Sequence, residues 1–160
     1  MNIKVFQIDH NSKYLDDVIV LGDINKSTLG FFPKDAYKES ASKKWIIIAV
    51  DDVTGELAGY LLYSISRQKM LISVVHLCVS SSWRGKGISK LLFDELKKIT
   101  KDGYLGIRVR CRVDYPANKL WPKLGFVAMG EMDGAPYSIR FSPYSVGATL
   151  RDYQIGWLLL

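Results

Sequence analysis

Residues 70–99 read MLISVVHLCVSSSWRGKGISKLLFDELKKI, and this stretch decides the fold. Its first part, Met70 to Val79, is almost continuously apolar, which predicts a strand buried on both faces. From Gly87 to about Thr100, apolar side chains recur at the spacing of an amphipathic helix, with charged residues on the opposite face. The apolar positions of that helix are Ile88, Leu91, Leu92, Leu96 and Ile99. The stretch therefore predicts a buried strand, a short loop and a helix, in that order.

The loop between this strand and helix combines glycines with cations: Arg84, Gly85, Lys86 and Gly87. The first turn of a helix has unpaired N–H groups and a partial positive charge, so it binds phosphate oxygens. The glycines let a ligand approach the backbone, the small Ser89 leaves room for it, and the two cations add charge. The loop therefore predicts a phosphate-binding site. Taken alone, it also fits a tight strand-to-helix turn that uses glycines only for geometry.

The rest of the chain predicts further strands and helices around this unit. The predicted order is β-α-α-β-β-β-α-β-α-β-β, which indicates an α/β (α+β) fold with a mixed sheet flanked by helices. Ser12 is predicted to cap the first helix. The predicted strands cover residues 3–8, 45–50, 57–65, 70–79, 107–113, 126–132 and 138–141, and the predicted helices cover 12–28, 34–44, 87–100 and 117–124.

The end of the sequence is more apolar than the residues before it. We expect one domain over residues 1–145, followed by an apolar C-terminal tail over residues 146–160. The last residues, Gly156 to Leu160, are Gly-Trp-Leu-Leu-Leu. Such a segment needs a partner, which is either the core of its own domain or a second subunit in a homodimer.

Composition narrows the class of protein. Two cysteines and two histidines are too few for a disulfide framework or a zinc site, so no metal is expected. No apolar run is long enough to cross a membrane and the start does not resemble a signal peptide, so we expect a cytoplasmic protein without a membrane partner. The net charge of +6 is spread along the chain rather than clustered, which makes nucleic acid an unlikely partner.

The pattern Arg84-x-x-Gly87-x-Ser89 resembles the coenzyme A motif of the GNAT superfamily of N-acetyltransferases, Gln/Arg-x-x-Gly-x-Gly/Ala. Three further segments resemble the same family, and the resemblance spans residues 3–141. It implies a mostly antiparallel twisted sheet with a splayed central strand pair, acetyl-CoA as co-substrate, and transfer of acetyl to a primary amine. The further segments are Leu77-Cys78-Val79-Ser80, the hairpin from Gly55 to Tyr60, and Lys123-Leu124-Gly125-Phe126.

The resemblance also implies which residues contact the co-substrate. A backbone N–H in the strand before the loop serves as the oxyanion donor, and the matching positions are Leu77 to Val79. The loop holds the pyrophosphate. The implied acetyl-CoA contacts are Leu77, Cys78, Val79, Arg84, Gly85, Lys86, Gly87, Ile88, Ser89, Asn118 and Trp121.

The last helix departs from the family pattern Asn-x-x-Ala-x-x-x-Tyr. Here it reads Asp114-x-x-Ala117-x-x-x-Trp121, so a tryptophan stands where the family has its proton-donating tyrosine. An indole N–H donates a hydrogen bond but is no practical acid. Proton delivery to the departing thiolate then falls to Tyr115, to a water or to bulk solvent. The other interpretation of Trp121 is a core aromatic at a helix–sheet contact.

The general base is left open between two residues. Counting back from Arg84, the glutamate that serves some family members falls on Ser73, which is no base. His76 lies on the same strand and titrates in the right range, although a lone histidine in an apolar strand is more often a core residue. Asp114 is the other candidate, and its structural alternative is an N-cap.

Two further sets of residues bear on the acceptor. Arg108, Arg110 and Arg112 alternate along a predicted strand, where they either contact an acidic acceptor or RNA or form a solvated face. Phe31-Phe32 and Tyr37 either line an acceptor pocket or close the core.

Three functions are therefore compared. The first is an N-acetyltransferase that moves acetyl from acetyl-CoA to a small-molecule or peptide amine. The second is a non-catalytic acyl-CoA-binding sensor or scaffold, suggested by the missing tyrosine and glutamate. The third is a nucleic-acid-binding protein that uses the arginine strand and would bind with a steep dependence on salt.

Overall fold

The protein is described by a computed structural model over residues 1–66, 71–100, 103–104, 106–112, 116–133 and 153–159. The chain divides into two compact units. The first unit comprises Met1–Ser64 and Val74–Gly103, and the second comprises Ile65–Ser73 and Tyr104–Leu160. In the described residues, no helix is both long and apolar enough to span a membrane.

The first unit is built on strands that follow one another in the sheet in chain order. The isoleucine-rich second strand is buried over Ile46 to Val50, so it forms the centre of this unit. It pairs antiparallel with the strand before it, Ile3 opposite Asp51, and with the strand after it, Ile46 opposite Leu62. The strands are β1 (Ile3–Ile8), β2 (Ile46–Asp51), β3 (Leu57–Ser66) and β4 (Leu71–Val79), in the order β1-β2-β3-β4. The last residues of β3 and the first of β4, up to Ser73, belong to the second unit.

Helices cover both faces of these strands. Helices α1 (Leu15–Ile24) and α3 (Lys34–Ser42) pack on the face that carries Ile46, Ile48 and Tyr60. The short α2 (Lys26–Leu29) lies between them in the chain, and α4 (Ile88–Ile99) packs on the other face. There, Ile88 of α4 lies against Gly59 of β3. The alternation of side chains along the strands thus produces two apolar layers.

The first predicted helix is shorter than expected, and its predicted cap is wrong. The helix begins at Leu15 and has no side-chain cap. Ser12 instead accepts a hydrogen bond from the Tyr14 N–H through Oγ and from the Leu15 N–H through its carbonyl, at 3.2 Å each. It therefore forms a turn before the helix. At the other end, Asn25 interrupts the helix with φ −103° and ψ 17°.

The second unit has a strand between β5 and β6 that comes last in the chain. Its elements are β5 (Gly106–Arg112), a 3-10 turn at Pro116–Lys119, α5 (Leu120–Lys123), β6 (Val127–Asp133) and β7 (Tyr153–Leu159). Strand β7 pairs antiparallel with both β5 and β6. Residues 153–159 were expected in an apolar tail, and they form this strand. The strand predicted at 138–141 lies outside the described residues.

The prediction of an α/β fold with mostly antiparallel strands flanked by helices is confirmed. The predicted helices at 34–44 and 87–100 appear as α3 and α4. The predicted helix at 117–124 appears as the 3-10 turn followed by α5. The splayed strand pair stays a prediction.

Candidate functional site

The glycines of the loop after β4 both have backbone conformations that other residues rarely adopt. Gly85 has φ +75° and Gly87 has φ +81°. A Cβ atom added at either glycine would meet no atom of the described chain within 4 Å. The backbone of the loop therefore faces open space, and the conformation itself requires glycine. A ligand has direct access to the peptide N–H groups there.

Helix α4 begins at this loop. Gly87 is its N-cap residue, and no side chain caps the first turn. The first turn also contains no acidic residue. The 12-residue helix therefore directs the positive end of its dipole and its unpaired N–H groups into the open space at Gly87. This is the arrangement that binds phosphate groups.

The two cations of the loop are held in different ways. Arg84 donates from Nε to the Val79 carbonyl and from Nη2 to Asn25 Oδ1, both at 3.2 Å, so it ties the loop to β4 and to the break after α1. Lys86 places its Nζ 4.9 Å from the centre of the Trp83 ring, a cation–π contact. Both charges thus stay beside the glycines of the loop.

The end of β4 is held tightly against β3. The Ser80 N–H donates to the Ala58 carbonyl at 2.8 Å, and a Cβ on Gly59 would lie 2.7 Å from the Cys78 carbonyl oxygen. His76 and Cys78 are buried, whereas Leu77 and Val79 are half-buried. The segment that was expected to supply the oxyanion donor is therefore a fixed part of the sheet.

His76 belongs to a buried cluster of aromatic side chains that we call the His76 cluster. Its Nδ1 and the Tyr60 hydroxyl lie 2.9 Å apart and share a hydrogen bond, and the Tyr60 and Tyr37 hydroxyls lie 3.4 Å apart. Phe32 packs its ring edge against His76, with centroids 5.0 Å apart. Gly22 of α1 makes room for both hydroxyls, since a Cβ there would clash with them.

Burial sets the protonation of this cluster. It lowers the pKa of His76 to about 4, so the imidazole is neutral at physiological pH. It also raises the pKa of the Tyr37 and Tyr60 hydroxyls, which stay protonated. A base with so low a pKa takes a proton from an alkyl ammonium group, whose pKa is about 10, only with difficulty.

Cys78 shows no sign of acting as a nucleophile. Burial raises the pKa of its thiol to about 11, although the positive charge of Arg84 acts in the opposite direction. The thiolate is the reactive form of cysteine, so this side chain is an inert buried group. Its backbone, rather than its sulfur, is the part that bears on the site.

The second unit carries the remaining described candidates. Trp121 of α5 is 5% exposed and packs edge to face on Phe126, with centroids 5.8 Å apart. Asn118 lies half-buried in the turn before α5. Asp114 and Tyr115 lie outside the described residues.

The predicted arginine stripe on β5 is not uniform. Arg110 is exposed, as a solvated face would require, whereas Arg108 is half-buried and donates from Nε to Ser73 Oγ at 2.6 Å. Burial lowers the pKa of Arg108, and the charge of Arg110 lowers it further. The Arg112 side chain lies outside what the structure describes.

Sequence reasoning missed three of these features. Asn25 supports Arg84 from 59 residues away, a contact that no local pattern predicts. The Arg108–Ser73 contact likewise joins two distant segments. Tyr60 could have been recognised from the sequence. Its side chain lies on the same face of β3 as the apolar Ala58 and Leu62, and a buried tyrosine hydroxyl needs a hydrogen-bond partner.

A family model of the acetyltransferase (GNAT) domain matches residues 22–147 of this chain. A search of curated protein sequences finds no match. The family match covers the loop at Arg84–Gly87, the His76 cluster and Arg108.

Many solved structures share the fold. Ard1 from Thermoplasma volcanium has a TM-score of 0.76 at 13% identity, over 99% of this chain and 97% of its own. The NatC complex bound to Gag peptide and CoA has a TM-score of 0.75 at 20% identity, over 99% of this chain and 98% of its own. NAA60 of Arabidopsis thaliana, bound to a bisubstrate analogue, has a TM-score of 0.72 at 16% identity, over 98% of each chain.

Proposed function

The chain belongs to the GNAT acetyltransferase family, and on that premise we propose that it transfers the acetyl group of acetyl-CoA to a primary amine of its acceptor. Acetyl-CoA is the co-substrate. The observation that carries the proposal is the open, positively charged end of α4 at Gly87, beside Lys86 and Arg84. The loop fits the pyrophosphate of coenzyme A because its N–H groups, helix dipole and cations all favour phosphate oxygens.

The strand before the loop supports the acyl-transfer step. Attack of a neutral amine on the thioester carbon produces a tetrahedral oxyanion, which a fixed backbone N–H stabilises. We assign this donor to Leu77–Val79. The bond from Ser80 to Ala58 and the close approach of Gly59 to Cys78 hold that segment in place, so little reorganisation is needed during the reaction.

The reaction also requires proton movements at both reacting groups. The acceptor ammonium loses one proton to become the attacking amine, its nitrogen loses a second as the amide bond forms and the C–S bond breaks, and the thiolate of coenzyme A gains one. Because His76 is buried and bonded to Tyr60, we propose that it positions β4 rather than accepting the proton. Asp114 is then the candidate base, and Tyr115 or a water is the candidate acid. Trp121 is proposed to contact the coenzyme A sulfur through its indole N–H.

The alternative of a non-catalytic acyl-CoA-binding module has specific support. A serine stands at position 73, where some family members have a glutamate, and a tryptophan stands at position 121, where the family pattern has a tyrosine. Such a module would bind acetyl-CoA without releasing coenzyme A when amines are added. Thiol release in the presence of an amine panel therefore separates the two functions.

The test of the loop is calorimetric titration of acetyl-CoA into wild type, Gly87→Glu and Gly55→Glu. Gly55 is a matched control, since it also has positive φ and open space around it but lies in the β2–β3 turn. We expect micromolar binding to wild type and Gly55→Glu and none to Gly87→Glu, because the new carboxylate repels phosphate. Equal binding by both variants would place the co-substrate elsewhere.

A further inference from the structure

Arg108 is a half-buried cation for which the described residues provide no carboxylate. It donates from Nε to Ser73 Oγ at 2.6 Å. None of the ion pairs found in the described segments involves it. Its charged neighbour on the same strand is another cation, Arg110, which is exposed. Removing a guanidinium from water without a counter-charge is costly, and buried charges are normally paired.

Within the described residues, the contact with Ser73 leaves most of the hydrogen-bonding capacity of Arg108 and Ser73 unused. A guanidinium has five N–H donors, and the bond from Nε uses one of them. The Ser73 hydroxyl accepts that bond through its oxygen, so its own proton is still available for donation. Arginine and serine together therefore present converging donors, and the planar fork of arginine matches the two oxygens of a carboxylate.

We propose that Arg108 and Ser73 bind the carboxylate of the acceptor, so that the acceptor is an amine that also carries a carboxylate, such as a free amino acid. This inference rests on the proposed function. Because we assign the phosphates of acetyl-CoA to the loop at Arg84–Ser89, we assign the guanidinium of Arg108 to the other substrate.

The residue at position 73 supports this assignment. Some members of the family have a glutamate at the matching position, as the spacing from Arg84 indicates. A glutamate there would pair with Arg108 and neutralise it. Serine does not, so within the described part of the chain the guanidinium is left to an anion of the acceptor. The substitution that removes a candidate base thus creates a binding site.

The experiment compares the twenty free amino acids with their carboxamides as acceptors, with coenzyme A release as readout. Wild type is expected to prefer the acids by about 10- to 150-fold in kcat/KM, the range for hydrogen bonds to a charged group. Arg108→Gln is expected to abolish that preference and to leave the affinity for acetyl-CoA unchanged. Arg110→Gln is the matched control, because it removes a charge from the same strand, and it should retain the preference.

Arg108→Lys serves as a second variant in case Arg108→Gln does not fold. Lysine keeps the positive charge but lacks the planar guanidinium, so we expect a preference for acids over amides between those of wild type and Arg108→Gln. Equal use of acids and amides by wild type would overturn the proposal. So would a weaker affinity of Arg108→Gln for acetyl-CoA, which would assign the guanidinium to a phosphate of the donor.

A binding measurement separates this proposal from the failure of acetyl transfer itself. N-acetyl amino acids and their amides are titrated into the protein by calorimetry. Suppose that no amine is acetylated, but that wild type binds the N-acetyl acids more tightly than their amides and Arg108→Gln does not. The carboxylate site is then supported, and the transferase function is wrong. If acids bind no better than amides, the carboxylate site is wrong.

Discussion

At the scale of the residue, His76 shows how burial changes the role of a side chain. A histidine on the strand before the loop is a natural candidate for a base. The structure surrounds it with Tyr60, Tyr37 and Phe32, and leaves it 2% exposed. The neutral imidazole is the stable form in this environment. Its hydrogen bond to Tyr60 holds the strand next to Leu77, which supports the positioning role that we propose for it.

The low pKa of His76 predicts a dependence of stability on pH. In the unfolded chain the imidazole binds a proton below about pH 6.5, whereas in the native state it does so only below about pH 4. The unfolded state therefore binds more protons in this window, so the free energy of unfolding falls as the pH falls from about 6.5 to 4. The expected loss is roughly 3 kcal/mol.

Urea unfolding across this pH range measures the effect. His76→Gln should remove this contribution to the pH dependence of the free energy of unfolding, because glutamine does not titrate. The exposed His10 provides the control, and His10→Gln should behave as wild type. An unchanged slope in His76→Gln would mean that His76 is not buried as a neutral group.

Residue roles could be predicted from the sequence only where they depend on local spacing. The positive φ of Gly85 and Gly87 and the uncapped start of α4 follow from a strand, two glycines and an amphipathic helix. The Tyr60–His76 bond depends on how β3 and β4 align, which apolar periodicity does not fix. The partner of Arg84 depends on where α1 ends.

At the scale of the element, the packing of α1 on the sheet depends on Gly22. This glycine lies inside a helix, where it costs about 1 kcal/mol relative to alanine. The space that it leaves is filled by the hydroxyl groups of Tyr37 and Tyr60, and a Cβ would lie 2.6 Å from the latter and closer still to the former. The helix thus loses intrinsic stability and gains close contact with the His76 cluster.

Gly22→Ala is therefore expected to destabilise the protein by about 1–3 kcal/mol through overpacking, despite the better helix propensity of alanine. Thermal unfolding measures the change. Tyr37→Phe removes the nearest hydroxyl, so the double variant should recover part of the loss. Val20→Ala, at an exposed position of α1, is the control for general effects on the helix. A stabilised Gly22→Ala would contradict the tight packing.

Element positions were predictable where the period was clear, as for α3, α4 and the strands of the hairpin. The end of α1 was not, because Asn25 breaks the helix by donating from Nδ2 to the Leu21 carbonyl at 2.9 Å, a local alternative to helical bonding. Residues 23–28 contain neither proline nor glycine, so the pattern predicted one long helix.

At the scale of the whole molecule, β7 is the element that completes the second unit. Each of its two backbone edges pairs with a strand of the same chain, Ile107 opposite Leu159 on one side and Val127 opposite Leu158 on the other. The sequence showed that this segment is apolar, but it did not predict which strands the segment pairs with or in which register. It could not distinguish the chain's own core from a second subunit, because a pairing between distant strands leaves no local signal.

Removal of residues 153–160 is expected to unfold β6 and to destabilise β5, since β6 loses its one neighbour in the sheet of the described residues and β5 loses one of two. Amide hydrogen exchange at residues 106–112 measures the effect, and the protection of the amides that face β7 should fall. A chain that lacks only residue 160 is the control and should retain protection, because β7 ends at Leu159. Persistent protection of β5 in the shortened chain would show that β7 is dispensable.

The late position of β7 also affects how the protein is made. Strand β5 leaves the ribosome about fifty residues before the strand that pairs with it. At about 5–20 residues per second, roughly 3–10 s pass in which the edge of β5 is open to other chains. Strands β1, β2 and β3, by contrast, pair with neighbours from the first half of the chain. Chaperone demand during translation is therefore expected to concentrate on the second unit.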